Sequence, residues 1–491
     1  MKKVINNIFN FFSRLSKKTK ITILVVTLLI LGVTVLYQTF ATSSTISGDS
    51  TNGYTVTLDN SGTVSIPASG SKTVYFKVKN TNNATVKYGV GYSGSNITVK
   101  EYSDSDNPSA GTISKGESKF VKLHITNSGT SASTATITTI LGYENGGDLI
   151  VPSGYTLVTS IYTVPVNLVT HITKLYTSAT KTPKTVNSIE YNLAPSVSLM
   201  NDRLGSMSTG IDDGNIRYYG ATPNNYIYFN CDDYSNQTSS TCEIWRIIGV
   251  FDGKVKIMRN ESIGSYSWDN KGTSSGAESA NGKNNWSDAR LMKMLNAGYE
   301  SETGGSLYWN RQSGTCYSGA TADTTKTCDM SSIGLKNDIT RNMISETTYS
   351  LLGWSNYEIY SEQIYSYERT TGSVYNETTR DKGWTGKVAL AYPSDYGYAT
   401  DLNQCTQNLY NYDNSTCISN DWMFNGAFQW LLTPDSGSSY LVWNVCSSGY
   451  DYYYRANYEF GVRPVLFLGS KLGIKAGDGD GSNSVPYQLS A

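Results

Sequence analysis

The chain has 491 residues, a formal net charge of −1 and only 16% charged side chains, with 45 glycines and 38 tyrosines; that length exceeds what one core usually serves, and that composition favours turn-rich β structure over helical bundles. Six of the 39 basic residues, Lys2, Lys3, Arg14, Lys17, Lys18 and Lys20, fall in the first 20 positions without an acid, so the remainder carries 33 basic against 40 acidic groups, a balance that argues against a nucleic-acid-tracking face. The two histidines, His124 and His171, leave the last 320 residues with none for a proton relay.

Residues 1–20 form a basic segment in which Val4, Ile5, Ile8, Phe9, Phe12 and Leu15 recur at helical spacing, as in a short helix on the inner leaflet. The uncharged run that follows, 21–41, has about the 20 residues a bilayer-spanning helix needs. Its positive flank is entirely N-terminal, which puts a short N-terminus in the cytoplasm and the body outside a cell membrane crossed once. Thr39-Phe40-Ala41 also fits a small-x-small cleavage site, so an anchor and a cleaved signal peptide both stand.

Residues 42–53 read as a polar linker. From 54 to 169, runs such as KTVYFKVKN (72–80), ATVKYGVGY (84–92) and KFVKLHITN (119–127) alternate between Asn-rich turns. Val74, Phe76 and Val78 share one face and Tyr75, Lys77 and Lys79 the other, the period of a half-buried strand. Repeated at 10–12 residues, the pattern predicts an immunoglobulin-like β-sandwich, with His124 facing solvent. HITKLYTSA and VSLMNDRLGSM predict a helical connector over 170–216, with His171 at the surface.

A mixed α+β domain is expected over 217–491. NYIYFN (225–230) and EIWRIIGVFDGKVKIMR (243–259) read as strands, the second a hairpin turning at Asp252-Gly253. SDARLMKMLN (287–296) and NDITRNMISETTYSLLGW (337–354) read as helices, and KVALAYPSDYGYAT, WLLTP, YLVWNV and FGVRPVLFLG as short strands in long loops. All seven cysteines fall in this region, six as Cys231/Cys242, Cys316/Cys328 and Cys405/Cys417 flanking polar loops. A disulfide closing a loop of about ten residues contributes roughly 2–3 kcal/mol. Three such staples fit an oxidising compartment, and the spacings are too long for the paired ligands of a zinc site.

The segments MNDRLGSM, DDGNIRYYGATPNNYIYF, EIWRIIGVFDGKVKIMR, SDARLMKMLN, AYPSDYGYATD and YEFGVRPVLFLG together resemble a domain family of Gram-positive surface proteins, over about residues 200–491. The terminal part, through Trp443-Asn444-Val445 and Gly461-Val462-Arg463-Pro464-Val465, is similar to the C-type-lectin fold of formylglycine-generating-enzyme-like proteins and of diversity-generating-retroelement variable proteins. The resemblance implies a C-type-lectin-like α+β domain over 217–491.

Within it YDYYYRANY (450–458) lacks the aliphatic alternation of a core strand. Tyrosines interleaved with Ser, Gly, Asp, Asn and Arg have the composition of a recognition surface: large contact area, few torsions to freeze and adaptable polar neighbours. Trp443, Tyr450, Tyr452, Tyr453, Tyr454, Arg455 and Tyr458 are the candidate ligand contacts, for an extracellular protein or glycan, while a Tyr-rich edge hairpin is the plainer reading. Each residue from Cys446 to Tyr458 is reachable from an asparagine codon by changing adenines alone, the style of retroelement diversification. Cys446 is then a drawn variant, an intermolecular bridge or a buried free thiol. Arg463 reads as framework, in a salt bridge. No catalytic residues are expected, since the segment lacks paired cysteines or a histidine partner; Asp232/Asp233, Glu358/Glu362 and Asp478/Asp480 leave a hydrolase as the weakest reading. GDGDGSNSVPYQL (477–489) reads as a Gly/Asp hairpin turn, with a calcium site at Asp478 and Asp480 as the alternative. The expectation is a membrane-anchored adhesin or receptor; a surface-tiling protein without a specific ligand is the rival.

Overall fold

The computed structural model describes residues 58–142, 149–162, 165–475 and 479–490. The basic segment, the apolar run 21–41, the linker and Asp478 lie outside the described residues, among which no helix is long and apolar enough to cross a membrane. The fold is β-dominated, with 36% strand against 14% helix, and divides between Val164 and Pro165 into two compact units.

The first unit runs β1 Leu58–Ile66, β2 Ser71–Lys79, β3 Val86–Ser93, β4 Ile97–Tyr102, β5 Ala110–Ile113, β6 Ser118–Asn127, β7 Ser133–Leu141, β8 Thr156–Leu157 and β9 Ile161–Tyr162. One sheet is ordered β1-β7-β3-β5 with β8 against β3, the other β2-β6-β4-β9. The expected alternation sets the packing: Val74, Phe76 and Val78 of β2 and Val121, Leu123 and Ile125 of β6 bury against Val64, Ile66, Tyr88, Val90 and Ile137 of the other sheet. His124 departs from expectation. It is half-buried, stacked on Tyr162 at 3.7 Å between ring centroids, and burial lowers its pKa.

The second unit opens with β10 Val166–Asn167 and α1 Leu168–Ser178. Asn167 caps α1 by accepting the Thr170 N–H, and Leu168, Ile172 and Tyr176, four apart, bury one stripe. Next come β11 Thr182–Val186, β12 Ile189–Ala194, β13 Leu199–Asn201, β14 Ile216–Tyr218, β15 Tyr226–Phe229, β16 Glu243–Phe251, β17 Lys254–Arg259 and β18 Ser265–Ser267. After α2 Arg290–Leu295 the chain forms the hairpin β19 Ser313–Tyr317 and β20 Thr325–Asp329, then α3 Asp338–Met343, β21 Ile344–Ser345 and β22 Thr347–Ser350. There follow α4 Ser361–Ser366, β23 Gly383–Gly386, β24 Val388–Ala389, α5 Pro393–Gly397 and α6 Ser415–Ile418. The end is written in β25 Gln429–Pro434, β26 Leu441–Val445, β27 Asp451–Arg455, β28 Glu459–Gly461, β29 Val465–Leu468, β30 Gly473–Ile474 and β31 Leu489–Ser490.

The large sheet runs β11-β12-β13-β14-β16-β17-β29-β21, with β15 on β16 and β24 on β29; a second sheet runs β18-β28-β25-β26-β27. The β16–β17 hairpin turns where expected, with Asp252 and Gly253 at φ 47° and 70°, the left-handed pair a tight two-residue turn requires.

Four expectations are corrected. Residues 170–216 are not a helical connector: α1 belongs to the core of the second unit, and β11 to β13 extend its large sheet. MNDRLGSM cannot be a helix because Arg203, Leu204 and Gly205 adopt left-handed backbone around the buried Asp202. The helix expected over 337–354 stops at Met343, where Ile344 and Ser345 pair with β29 and the Thr-rich Thr347–Ser350 pairs with β23, strand pairing overriding a helical pattern. Likewise KVALAYPSDYGYAT holds only the two-residue strand β24 before Pro393 opens α5.

Candidate functional site

The seven nominated residues lie on or beside the hairpin of β26 and β27, paired Leu441↔Arg455, Val442↔Tyr454, Trp443↔Tyr453, Asn444↔Tyr452 and Val445↔Asp451. β27 is the last strand of its sheet, and among the described residues no strand pairs with its outer edge. Tyr450, Tyr452, Tyr453 and Tyr454 are half-buried; Arg455 and Tyr458 are exposed. Trp443 does not join them. It has 0% exposure and its indole N–H donates to the Trp354 carbonyl at 3.1 Å, so it is a core residue beneath Tyr453. The reason is local: Val442, Trp443, Asn444 and Val445 are all buried, which makes β26 covered on both faces while β27 is the rim.

The rings form one continuous array. Tyr452 stacks on Tyr453 at 4.7 Å and meets Tyr454 edge-on at 5.9 Å; Tyr454 reaches Tyr458 at 5.8 Å and Phe460 at 5.5 Å. Three members come from elsewhere in the chain. Tyr357 lies 4.9 Å from Tyr452, Tyr410 lies 5.5 Å from Tyr450, and Phe428 lies 5.9 Å from Tyr454. Tyr410 sits inside the loop closed by Cys405 and Cys417, whose tyrosines were the one sequence signal that a staple serves this surface. Ring-on-ring packing of this kind limits side-chain torsion.

Beneath the array the groups are buried and largely neutral. Asp451, with 0% exposure, has no hydrogen-bond partner for either carboxylate oxygen, and burial, reinforced by the Asp421 and Glu368 charges, raises its pKa well above the usual range. Asp421 accepts the Met423 N–H at 2.8 Å on Oδ1, leaves Oδ2 unpartnered, and is pushed up to about 8 by burial. Burial also pushes the Cys446 thiol up to about 11; this cysteine is free and buried, the third of its expected fates. Tyr450, whose hydroxyl meets that thiol, has a raised pKa, first from this hydrogen bond and then from burial.

Arg463 is a framework residue but not through a salt bridge. Its guanidinium donates to the Arg259 and Met423 carbonyls at 3.0 and 2.9 Å and to Gln429 Oε1 at 3.2 Å, and burial brings its pKa down to about 9. The three disulfides pair Cys231 with Cys242, Cys316 with Cys328 and Cys405 with Cys417. Of the carboxylates nominated in pairs, Glu362 is buried on the Asn187 amide at 2.6 Å while Glu358 is exposed. In the tail, Asp480 accepts the Ser482 N–H at 2.9 Å in a turn with Gly479 and Gly481 at positive φ; among the described residues no cluster of His, Cys, Asp and Glu has the geometry to hold a metal ion.

Away from the hairpin a buried ionic cluster ties the large sheet to α5. Arg217 donates to Asp202 and to Asp395 at 2.5 and 2.8 Å, Lys256 also pairs with Asp395, and all four are fully buried. Burial lowers Lys256 to about 8, whereas Asp395 is driven down, because the attraction of Lys256 and Arg217 outweighs its desolvation. Mutual pairing of these buried charges, with only Arg217 Nη2 left without a hydrogen-bond partner among them, makes this a structural element. No family model, curated protein or solved structure matches the chain.

Proposed function

We propose that the chain is a membrane-tethered extracellular recognition protein, whose immunoglobulin-like sandwich carries a C-type-lectin-like domain and whose aromatic rim binds a protein or glycan. The observation behind this reading is the array of Tyr450, Tyr452, Tyr453, Tyr454 and Tyr458 with Tyr357, Tyr410 and Phe428 along an edge strand: rings contributed by four separate stretches converge at the surface. Aromatics account for a large share of interface energy and offer flat apolar faces to peptides and sugar rings alike. Arg455, exposed at the end of β27, supplies the polar complement. The contacts assigned are therefore the tyrosines and Arg455, without Trp443.

The unpaired outer edge of β27 favours a second reading, in which copies of the chain join edge to edge and tile the surface. Screening the full-length protein in nanodiscs against extracellular protein and glycan arrays, alongside sedimentation at rising concentration, separates the two. Ligand binding lost on Tyr452→Ser with Tyr454→Ser supports recognition. Self-association without any array signal supports tiling and overturns recognition.

A further inference from the structure

Lys256 sits in the middle of the large sheet, on β17 between Gly249 of β16 and Phe467 of β29, and its side chain is only 1% exposed. The rings of Tyr392, Phe251 and Phe467 lie 4.7, 5.3 and 5.7 Å from Nζ. From within these rings Nζ donates to Oδ2 of Asp395, which is 139 positions further along the chain and has 0% side-chain exposure. Holding an ammonium and a carboxylate out of water is expensive, and their mutual attraction often fails to offset the full desolvation cost.

The carboxyl group is fixed on both oxygens. Asp395 lies in the first turn of α5, where Oδ2 also accepts the Tyr392 N–H at 2.9 Å, and Oδ1 accepts Arg217 Nη1 at 2.8 Å. Arg217 is itself anchored through Nε to Asp202 at 2.5 Å. An amine is thus in direct contact with a carboxyl group whose other oxygen faces a guanidinium, the donor that an oxyanion at Oδ1 requires. Burial lowers Lys256 to about 8, so the neutral amine becomes accessible near physiological pH, as in other desolvated nucleophilic lysines. Asp395 is ionised, and the proton that activates its carboxyl group therefore comes from Lys256 itself.

We propose that Lys256 and Asp395 condense into an intramolecular amide, joining Nζ to Cγ and releasing one water. Nζ passes a proton to Oδ2, and the freed amine attacks Cγ, which places negative charge on Oδ1 against Arg217. A second Nζ proton then moves to Oδ2, and the Cγ–Oδ2 bond breaks as water leaves with the electron pair. Ammonium and carboxylate become a neutral amide and water, with no co-reactant and no net change in protons. Two buried charges are removed, while Arg217 keeps its pairing with Asp202 and its N–H on what is now the amide carbonyl. The bond ties β17 to α5 across 139 positions, which restricts the unfolded chain as a disulfide does but is indifferent to reductant.

The full-length protein is purified, fully reduced, unfolded and digested, and its peptides are sequenced by tandem mass spectrometry. In most molecules the segment holding Lys256 is expected to be joined to the segment holding Asp395, the pair weighing one water less than the two apart, and Lys256 is expected to resist both trypsin and amine acetylation. Lys256→Arg keeps a cation beside Asp395 but lacks the amine, so it should lose the joined pair and migrate more slowly than the wild type on a reducing denaturing gel, once the closed loop is released. The wild-type peptide map decides the matter even if that variant fails to fold. Recovery of the two segments unjoined in most wild-type molecules, or a missing water that maps to other residues, overturns the proposal.

Discussion

Replacing Asp421 by asparagine should stabilise the second unit, and increasingly so as pH rises. Asp421 is 5% exposed, and burial lifts its folded pKa from the ordinary 3.8 to about 8. The unfolded chain ionises it near 4, so between pH 4 and 8 the folded state holds one more proton from this residue than the unfolded state. Its contribution is therefore intact below pH 4 and is lost progressively as pH climbs towards 8, at about 1.4 kcal/mol per pH unit. From pH 5 to pH 7 the wild type loses about 2–3 kcal/mol through this group. Asparagine keeps a carbonyl oxygen for the Met423 N–H and carries no proton to lose. All nine tryptophans lie after Pro165, so urea unfolding followed by tryptophan fluorescence reads this unit alone. The gap in unfolding free energy between Asp421→Asn and wild type should widen by about 2–3 kcal/mol from pH 5 to pH 7. Parallel stability profiles for the two proteins would refute the reasoning.

Trp443→Ala should cost about 3–5 kcal/mol in the same assay, the penalty for emptying a buried indole site, and a surface-like cost below about 0.5 kcal/mol would return Trp443 to the rim. Cys446, buried and with its thiol pushed up to about 11, should resist iodoacetamide at pH 7.5 in the native protein and become the single labelled cysteine in urea without reductant; rapid native labelling in mass spectrometry would contradict its burial.

What the sequence made legible was local. The alternation of Val74, Phe76 and Val78, the Asp252-Gly253 turn and the three cysteine spacings each depend on neighbours within about a dozen positions, and all reappear in the structure. Composition revealed that rings cluster between 440 and 460 but not which face each takes, so Trp443 could not be told from Tyr453 although the two pair directly. Tyr357, Tyr410 and Phe428 were invisible because they join the array through loop closures that no periodicity encodes. The buried Arg217, Lys256 and Asp395 were hidden for the same reason: their partners are 178 and 139 positions away. The segment 344–350 read as helix because its apolar spacing suits both periods, and only the open edges of β29 and β23 decide between them.

The central claim concerns the rim of β27, and affinity measures it most directly. With the strongest array ligand immobilised, biolayer interferometry on wild type and on the Tyr452→Ser, Tyr454→Ser double variant should show Kd raised by about 30-fold or more, the loss of one interfacial hot spot of about 2 kcal/mol, with the variant still folded by its urea transition. Equal Kd values for the two proteins, both folded, would show that these rings are not where the protein meets its ligand.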